Sequence, residues 1–283
     1  PPNEGLEYER NLEELQKTEG EKAKQLLRGG FWRSFMVKYP ESNHIHKRMF
    51  MISRKVHAAA RKNPKKGRAA LMELWKGQCN DAYWHGIFGG LYLPHLRSSL
   101  YRHLIRAESL AADILKTRTN VLRDDFDCDG FDDVVVNTKH YALTATEKGG
   151  SISELSLCRQ AVNIFDIVSR RPEAYHGKIA DAVYTGHGET RTIHDVLTVK
   201  AVGLSEHIVY DSYRRTSLID RFLPVGTTVW DVARQEHKEL GDFVGSVYEI
   251  HAERKGDDFS VSFSREGIAG DGGVMIEKTI YGI

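Results

Sequence analysis

Hydrophobic positions along the chain keep two different periods. From Glu4 to about Lys116 apolar residues recur at threes and fours, the spacing of helices with one buried face. The stretch GLEYERNLEELQKTEGEKAKQLL sets Leu12, Leu15, Leu26 and Leu27 among dense charges and stops at Gly29-Gly30. HIHKRMFMISRKVHAAARK predicts a second helix, ended at Asn63 because a residue before proline is pushed out of the helical region. GRAALMELWKG predicts a short third helix. LYLPHLRSSLYRHLIRAESLAADIL predicts a long fourth, with Leu96, Leu100, Leu104 and Leu110 on or near one stripe.

After Thr117 the period falls to two. Short β-rich runs separated by turn residues follow: DVVVNT, HYALTATEKGGSISELSL, AVNIFDIVS, SVYEIHAER, DFSVSFSREG and VMIEKTIYG. Phe259, Val261 and Phe263 alternate with serines, as a strand with one wet face requires. Most of these runs have no helix-length segment between them, which argues against parallel winding. The expected fold is therefore α+β: a helical domain over 1–118, then an antiparallel β-sandwich over 119–283. The chain opens on Pro1-Pro2-Asn3 without Met and closes on the apolar run Val274 to Ile283. Both ends read as cut, so the β domain is expected to be truncated.

Composition narrows the function classes. A chain of 283 residues with 41% hydrophobic content can bury one large core or two ordinary ones. The formal net charge of +1 gives no reason to expect nucleic acid or an anionic membrane surface as a partner. The run Arg61 to Arg68, with Lys62, Lys65 and Lys66, reads as a solvated turn between helices. No apolar run is long enough to span a bilayer, and no secretory signal opens the chain. Cys79, Cys128 and Cys158 are odd in number and widely spaced, which fits neither a disulfide framework nor a zinc knuckle. A reducing, cytoplasmic setting is expected.

The most specific local pattern is DDFDCDGFDDVVV, from Asp124 to Val136. Asp125, Asp127 and Asp129 alternate, Gly130 permits a sharp turn, and Asp133 follows three residues later. Carboxylates alternating on a tight loop converge on one point and repel one another unless a cation sits among them. Hard oxygen donors of this kind suit calcium, with the Phe131 carbonyl as the expected backbone ligand. The distal glutamate of a helix-loop-helix calcium site is missing, since Val136 stands there and a strand follows. The alternative is an Asp-rich turn, because Asp suits turns. A cation here is expected to be structural, and no organic cofactor is indicated.

The densest chemistry lies in KGQCNDAYWHGIFGG, residues 76 to 90. Tyr83 and Trp84 offer flat apolar faces with polar edges, on which the C–H face of a sugar can stack. Gln78, Asn80, Asp81 and His85 supply mixed donors and acceptors for hydroxyl groups. No Arg or Lys is interleaved beyond Lys76, so the pattern suits carbohydrate better than an anion. A helix end and connector with a buried Trp fits the same residues.

QCNDAYWHGIFGGLYLPHLR also closely resembles the last signature region of the glycoside hydrolase family 57 enzymes, in the 4-α-glucanotransferase and α-amylase branch. GGFWRSFMVKYPESNHIHKRM (29–49) resembles the stretch that follows the family's catalytic barrel. DDFDCDGFDD, YDSYRRTSLIDRFL (210–223) and the closing strands are similar to its C-terminal β domain. The resemblance implies a (β/α)₇ barrel preceding this chain and carrying a nucleophile and an acid/base for a retaining mechanism. It also implies that the helical domain completes the cleft for α-1,4-glucan, that the β domain is a mutarotase-like sandwich, and that the protein is a homodimer. Trp84 would stack on a glucose ring, Asp81 would bond its hydroxyls or orient the catalytic pair, and His85, Asn80 and Gln78 would stand beside them. The family's earlier signatures have no match here, so no catalytic residue is expected in this chain and it should be inactive alone. His44-x-His46 reads as polarity at a helix start. The alternative function is a stand-alone module that binds α-glucan or mediates assembly without catalysis.

Overall fold

The computed structural model describes residues 11, 14–20, 32–86, 88–117, 119–179, 183–184, 198–199 and 203–282. Apart from residues 14–19, which are helical, most of the first predicted helix and its stop at Gly29-Gly30 lie outside the described residues. The chain forms two compact units. The larger holds Tyr39–Val168, Tyr213–Val232 and Glu236–Ile283.

In the larger unit three helices follow the apolar stripes: α1 (Pro40–Lys62), α2 (Pro64–Lys76) and α3 (Pro94–Leu115). Helix α1 buries Ile45, Met49, Ile52, Val56 and Ala59, spaced by fours and threes along one face. Helix α2 starts at Pro64, earlier than the apolar pattern indicates. The Asn63 side chain accepts a 3.1 Å bond from the Lys66 amide and Pro64 needs no amide partner, so the chain turns the corner without a loop. Leu74, Leu100, Leu104 and Ala107 join the α1 residues in the helical core. Helix α3 ends on Lys116 in the left-handed conformation, four residues before the first strand.

Strands β1 (Asn120–Asp124), β2 (Asp133–Asn137), β3 (Tyr141–Thr146), β4 (Ser151–Leu157) and β5 (Val162–Asn163) form an antiparallel five-stranded meander. Strands β6 (Glu249–Lys255), β7 (Asp258–Ala269) and β8 (Gly272–Gly282) form a second antiparallel sheet. The two sheets enclose one core, to which Val134, Val136, Leu143 and Ile152 come from the first and Ile250, Phe259, Val261 and Phe263 from the second. Strand β1 is absent from the sequence expectation because Asn, Arg and Asp do not read as strand formers. Of the predicted run AVNIFDIVS only Val162–Asn163 pairs. The Asn163 side chain takes the amides of Leu155 and Phe165 instead, substituting for the ladder beyond it.

One register slip shapes the molecule. Ala145 pairs with Ile152 but Thr144 pairs with Glu154, leaving Ser153 as an extra residue in β4. Ile152 therefore faces the sandwich core, while Glu154, only 1% exposed, turns to the helices. There it meets His44 Nε2 at 2.9 Å and Arg48 Nε at 3.2 Å. Arg48 extends its other end to Glu108 of α3 at 2.6 and 3.2 Å, and Lys55 reaches the same carboxylate at 2.5 Å. His44 is thus a buried partner of a sheet carboxylate, and the reading of His44-x-His46 as polarity at a helix start is corrected. Periodicity along α1 carries no trace of a partner 110 residues away.

The polar-aromatic segment 210–223 is partly explained by packing. Asp220 Oδ2 accepts from Tyr248 and from Lys278, each at 2.6 Å, and Lys278 also donates to the carbonyls of Gly150 and Leu218. This pins β8 to the β3–β4 turn. In the smaller unit a helix (Trp32–Lys38) is tied by Lys38 to Glu173 at 2.7 Å, and Arg170 clasps Asp211 at 2.7 and 3.1 Å. The three cysteines are free thiols. Among the described residues no helix is long and apolar enough to cross a membrane.

Candidate functional site

The segment joining α2 to α3 turns twice in a few residues. A one-turn 3₁₀ helix (Asn80–Tyr83) is followed by extended Trp84, and the chain then folds back so that the Leu91 amide donates to the Trp84 carbonyl at 2.8 Å. Gly90, at φ +47°, crosses directly over this turn: a Cβ there would lie 2.1 Å from the Trp84 carbonyl oxygen and 2.9 Å from that of Asp81. Gly86 lies under the indole itself, where a Cβ would come within 2.5 Å of the ring. The glycines of the quoted segment therefore serve close approach of backbone to ring and of backbone to backbone.

On this turn the predicted residues divide into two sets. Gln78, Asn80, Asp81 and Trp84 are exposed, Trp84 at 42%. Asp81 Oδ2 accepts a 3.3 Å bond from the Cys79 thiol, and Gln78 Nε2 lies 3.5 Å from the sulfur of Met49. Tyr83 turns inward at 4% exposure and donates its hydroxyl to the Gly77 carbonyl at 2.6 Å, with burial pushing its pKa up. His85 is half-buried, packs edge-on against Tyr92 and holds the Gly89 carbonyl 3.1 Å from Nδ1. The outer set presents an aromatic face with mixed donors and acceptors, while Tyr83 and His85 brace the turn from behind.

The aspartate loop between β1 and β2 is built the opposite way. Asp125 spends its carboxylate on the amides of Asp129 and Gly130 at 3.0 and 3.1 Å, and Asp129 accepts from the Phe131 amide at 3.0 Å. Asp125, Asp127 and Asp133 bring one carboxylate oxygen each to within 4.8 Å of one another. Asp129 stands outside that trio, and Phe131 is placed by its ring, with Lys148 Nζ 4.6 Å from the centroid. Asp127 Oδ1 and Asp133 Oδ2 are buried without a hydrogen-bond partner. Burial, with the neighbouring charges of Asp127 and Asp129, pushes the Asp133 carboxyl up to about 8. Burial and Asp127 raise the Asp129 carboxyl as well. Asp125, Asp127 and Asp133 form an acidic trio that can hold a metal ion. The loop is also tied to the helices, since Asn43 donates to the Asp127 carbonyl at 2.6 Å and Phe126 packs edge-on against His44.

Arg48, Glu154, Glu108 and His44, which set the helices against the sheet, escaped sequence reading because their spacing holds no local pattern. Gly86 and Gly90 did leave a signal, the glycine-rich end of the segment.

Comparison with known proteins places both loops in one lineage. Residues 30–111 match the family model described as "Alpha-amylase/4-alpha-glucanotransferase, middle domain", and residues 125–282 match "Alpha-amylase/4-alpha-glucanotransferase, C-terminal". "Alpha-amylase 1" of Dictyoglomus thermophilum is 40% identical over 240 residues, covering 81% of this chain and 34% of that protein. A "4-alpha-glucanotransferase" of Thermococcus kodakarensis is 36% identical over 272 residues, covering 95% of this chain and 39% of that protein. The crystal structure of 4-alpha-glucanotransferase from Thermococcus litoralis superposes with a TM-score of 0.76 at 33% identity, covering 99% of this chain and 38% of that one. The chain spans about a third of the length of the curated relatives it matches. With its helical part matched by the middle-domain description and its sheets by the C-terminal one, the chain belongs to the α-amylase/4-α-glucanotransferase family.

Proposed function

We propose that this chain is the C-terminal part of a retaining enzyme acting on α-1,4-glucan, a 4-α-glucanotransferase or α-amylase, and that its helical part forms one wall of the glucan cleft. The observation that carries this is the exposed Trp84 indole, backed by Gly86 and flanked by exposed Asp81, Asn80 and Gln78. A rigidly backed indole beside short polar side chains suits a pyranose ring, whose C–H face stacks while its hydroxyls are bonded at the edge. The segment lies inside the stretch matched by the middle-domain family model, and the similar proteins are named for α-amylase and 4-α-glucanotransferase activity. Trp84 supplies the stacking face, and Asp81, Asn80 and Gln78 bond hydroxyls or orient the reacting groups. Tyr83 and His85 hold the turn in place.

In this reading residues 1–118 are the helical domain and 119–283 a mutarotase-like β domain. The two catalytic carboxylates lie outside these 283 residues, on a (β/α)₇ barrel, so the chain alone does not turn over glucan. In the same reading the free thiols of Cys79, Cys128 and Cys158 suit a reducing, cytoplasmic setting, and the family resemblance implies a homodimer. Maltoheptaose binding to the protein as its gene encodes it tests the wall: Trp84→Ala should weaken it about tenfold, and unchanged binding would confine Trp84 to packing.

Asp125, Asp127 and Asp133 would hold a structural calcium, with Asp129 and the Phe131 carbonyl completing its shell. A divalent cation would supply the partner that the orphaned oxygens of Asp127 and Asp133 lack. Its chemistry is electrostatic cross-linking of the β1–β2 loop, with no part in bond cleavage. Calcium after chelation should raise the melting temperature, and an unaltered melt would remove this site.

A further inference from the structure

Behind the exposed face of Trp84 runs a line of hydrogen bonds that the proposed glucan wall does not itself require. The Leu91 amide closes the Trp84 turn, and the Leu91 carbonyl accepts from Arg97 Nη1 at 2.5 Å. Leu91 is fully buried and Arg97 is 5% exposed, so water does not compete for this bond. Arg97 Nε, on the same guanidinium, donates to Asp166 Oδ1 at 2.8 Å. Asp166 follows directly on Phe165, whose amide is held by the Asn163 side chain, and that side chain also bonds the Leu155 amide of β4. A single planar side chain therefore joins the carbonyl behind the Trp84 turn to a loop fixed on the sheet.

We infer that Arg97 is a positioning residue for the glucan wall: the Arg97–Asp166 pair sets the orientation of Trp84 and Asp81 by bracing Leu91 against the sheet. This rests on the reading that Trp84 meets glucan. The chemistry suits arginine, since its Nη1 and Nε donors diverge in a fixed planar fork, whereas a lysine ammonium is a single point on a flexible stem and would not hold Leu91 and Asp166 at this fixed separation. Tyr83 and His85 brace the turn from within the helical part, and Arg97 adds the tie that runs from Leu91 to the sheet. Aromatic stacking on a sugar depends on ring orientation, so a small tilt changes affinity while leaving the fold intact.

The test measures maltoheptaose affinity by calorimetry, melting temperature, and the near-UV circular dichroism of Trp84, on the protein as encoded by its gene. The variants are Arg97→Lys, Asp166→Ala and Trp84→Ala. Arg97→Lys and Asp166→Ala should each weaken binding about tenfold and should alter the dichroism band that Trp84→Ala removes. Their melting temperatures should stay within about 2–4 °C of the parent. If both bind normally while Trp84→Ala binds weakly, the inference is overturned and the glucan wall stands. If Trp84→Ala binds normally as well, the wall itself is wrong and the role of Arg97 falls with it. If both variants are unfolded at the assay temperature, the pair is a packing element and the inference is likewise overturned.

Discussion

The two loops of this molecule solve opposite problems. Between α2 and α3 the backbone holds the turn and its outer side chains face solvent: Gly90 passes close over two carbonyls, Leu91 closes the turn, and Trp84 and Asp81 look outward. Between β1 and β2 the carboxylates themselves hold the backbone, and Asp127 and Asp133 are buried with oxygens that lack partners. An exposed aromatic on a locked turn is arranged to receive something that comes and goes. A buried carboxylate oxygen without a hydrogen-bond partner is costly, although Arg214 stands 3.9 Å from the other oxygen of Asp127. Quoted as sequence, both loops look like polar clusters; burial and hydrogen bonding are what tell them apart.

Both loops hang on the same junction, which gives the largest expected effect. Arg48→Met leaves Glu108 and Glu154 buried without their shared cation and should destabilise the protein by about 3–5 kcal/mol in chemical denaturation. A loss near zero would show that helices and sheet do not depend on this network. Acid reaches the same junction more gently. Burial alone would raise the Glu108 carboxyl, but Arg48 and Lys55 outweigh it and hold it down to about 2 from an ordinary 4.5. The unfolded chain therefore binds more protons between those values. The stabilisation is full above pH 4.5 and is lost as pH falls towards 2. Glu108→Gln should flatten stability over that window, and an unchanged acid profile would contradict the pairing.

The next effects separate the loops. Calcium at a hundredfold over its dissociation constant should stabilise the chelated protein by about 2.7 kcal/mol, and Asp133→Asn should abolish that response. Gly90→Ala should do the reverse. Its strain at the Trp84 carbonyl should cost on the order of 1–3 kcal/mol and weaken maltoheptaose binding, while the calcium response stays intact. A Gly90→Ala protein that binds glucan normally would show that the turn is not locked.

Much of this was legible before the fold was seen. The threes-and-fours stripe of Ile45, Ile52 and Val56 and the alternation of Phe259, Val261 and Phe263 are consequences of helix and strand geometry, and the structure buries those residues. The converging aspartates were legible because alternation on a turn is local chemistry. What stayed hidden depends on partners distant in sequence. Glu154 faces the helices because Ser153 is an extra residue in β4, and no pattern within the strand announces a bulge. His44 looked like polarity at a helix start because its partner lies on another element. Tyr83 and Trp84 are neighbours of similar character, yet one is buried and the other exposed, a difference set by the carbonyl of Gly77 and the glycine under the indole.

The most direct test places Trp84→Ala and Asp133→Asn side by side, each measured for maltoheptaose affinity and for the calcium-dependent rise in melting temperature. Trp84→Ala should lose about tenfold in affinity and keep the full calcium response. Asp133→Asn should lose the calcium response and bind glucan with parental affinity once folded. Trp84→Ala binding maltoheptaose as tightly as the parent would contradict the glucan wall outright.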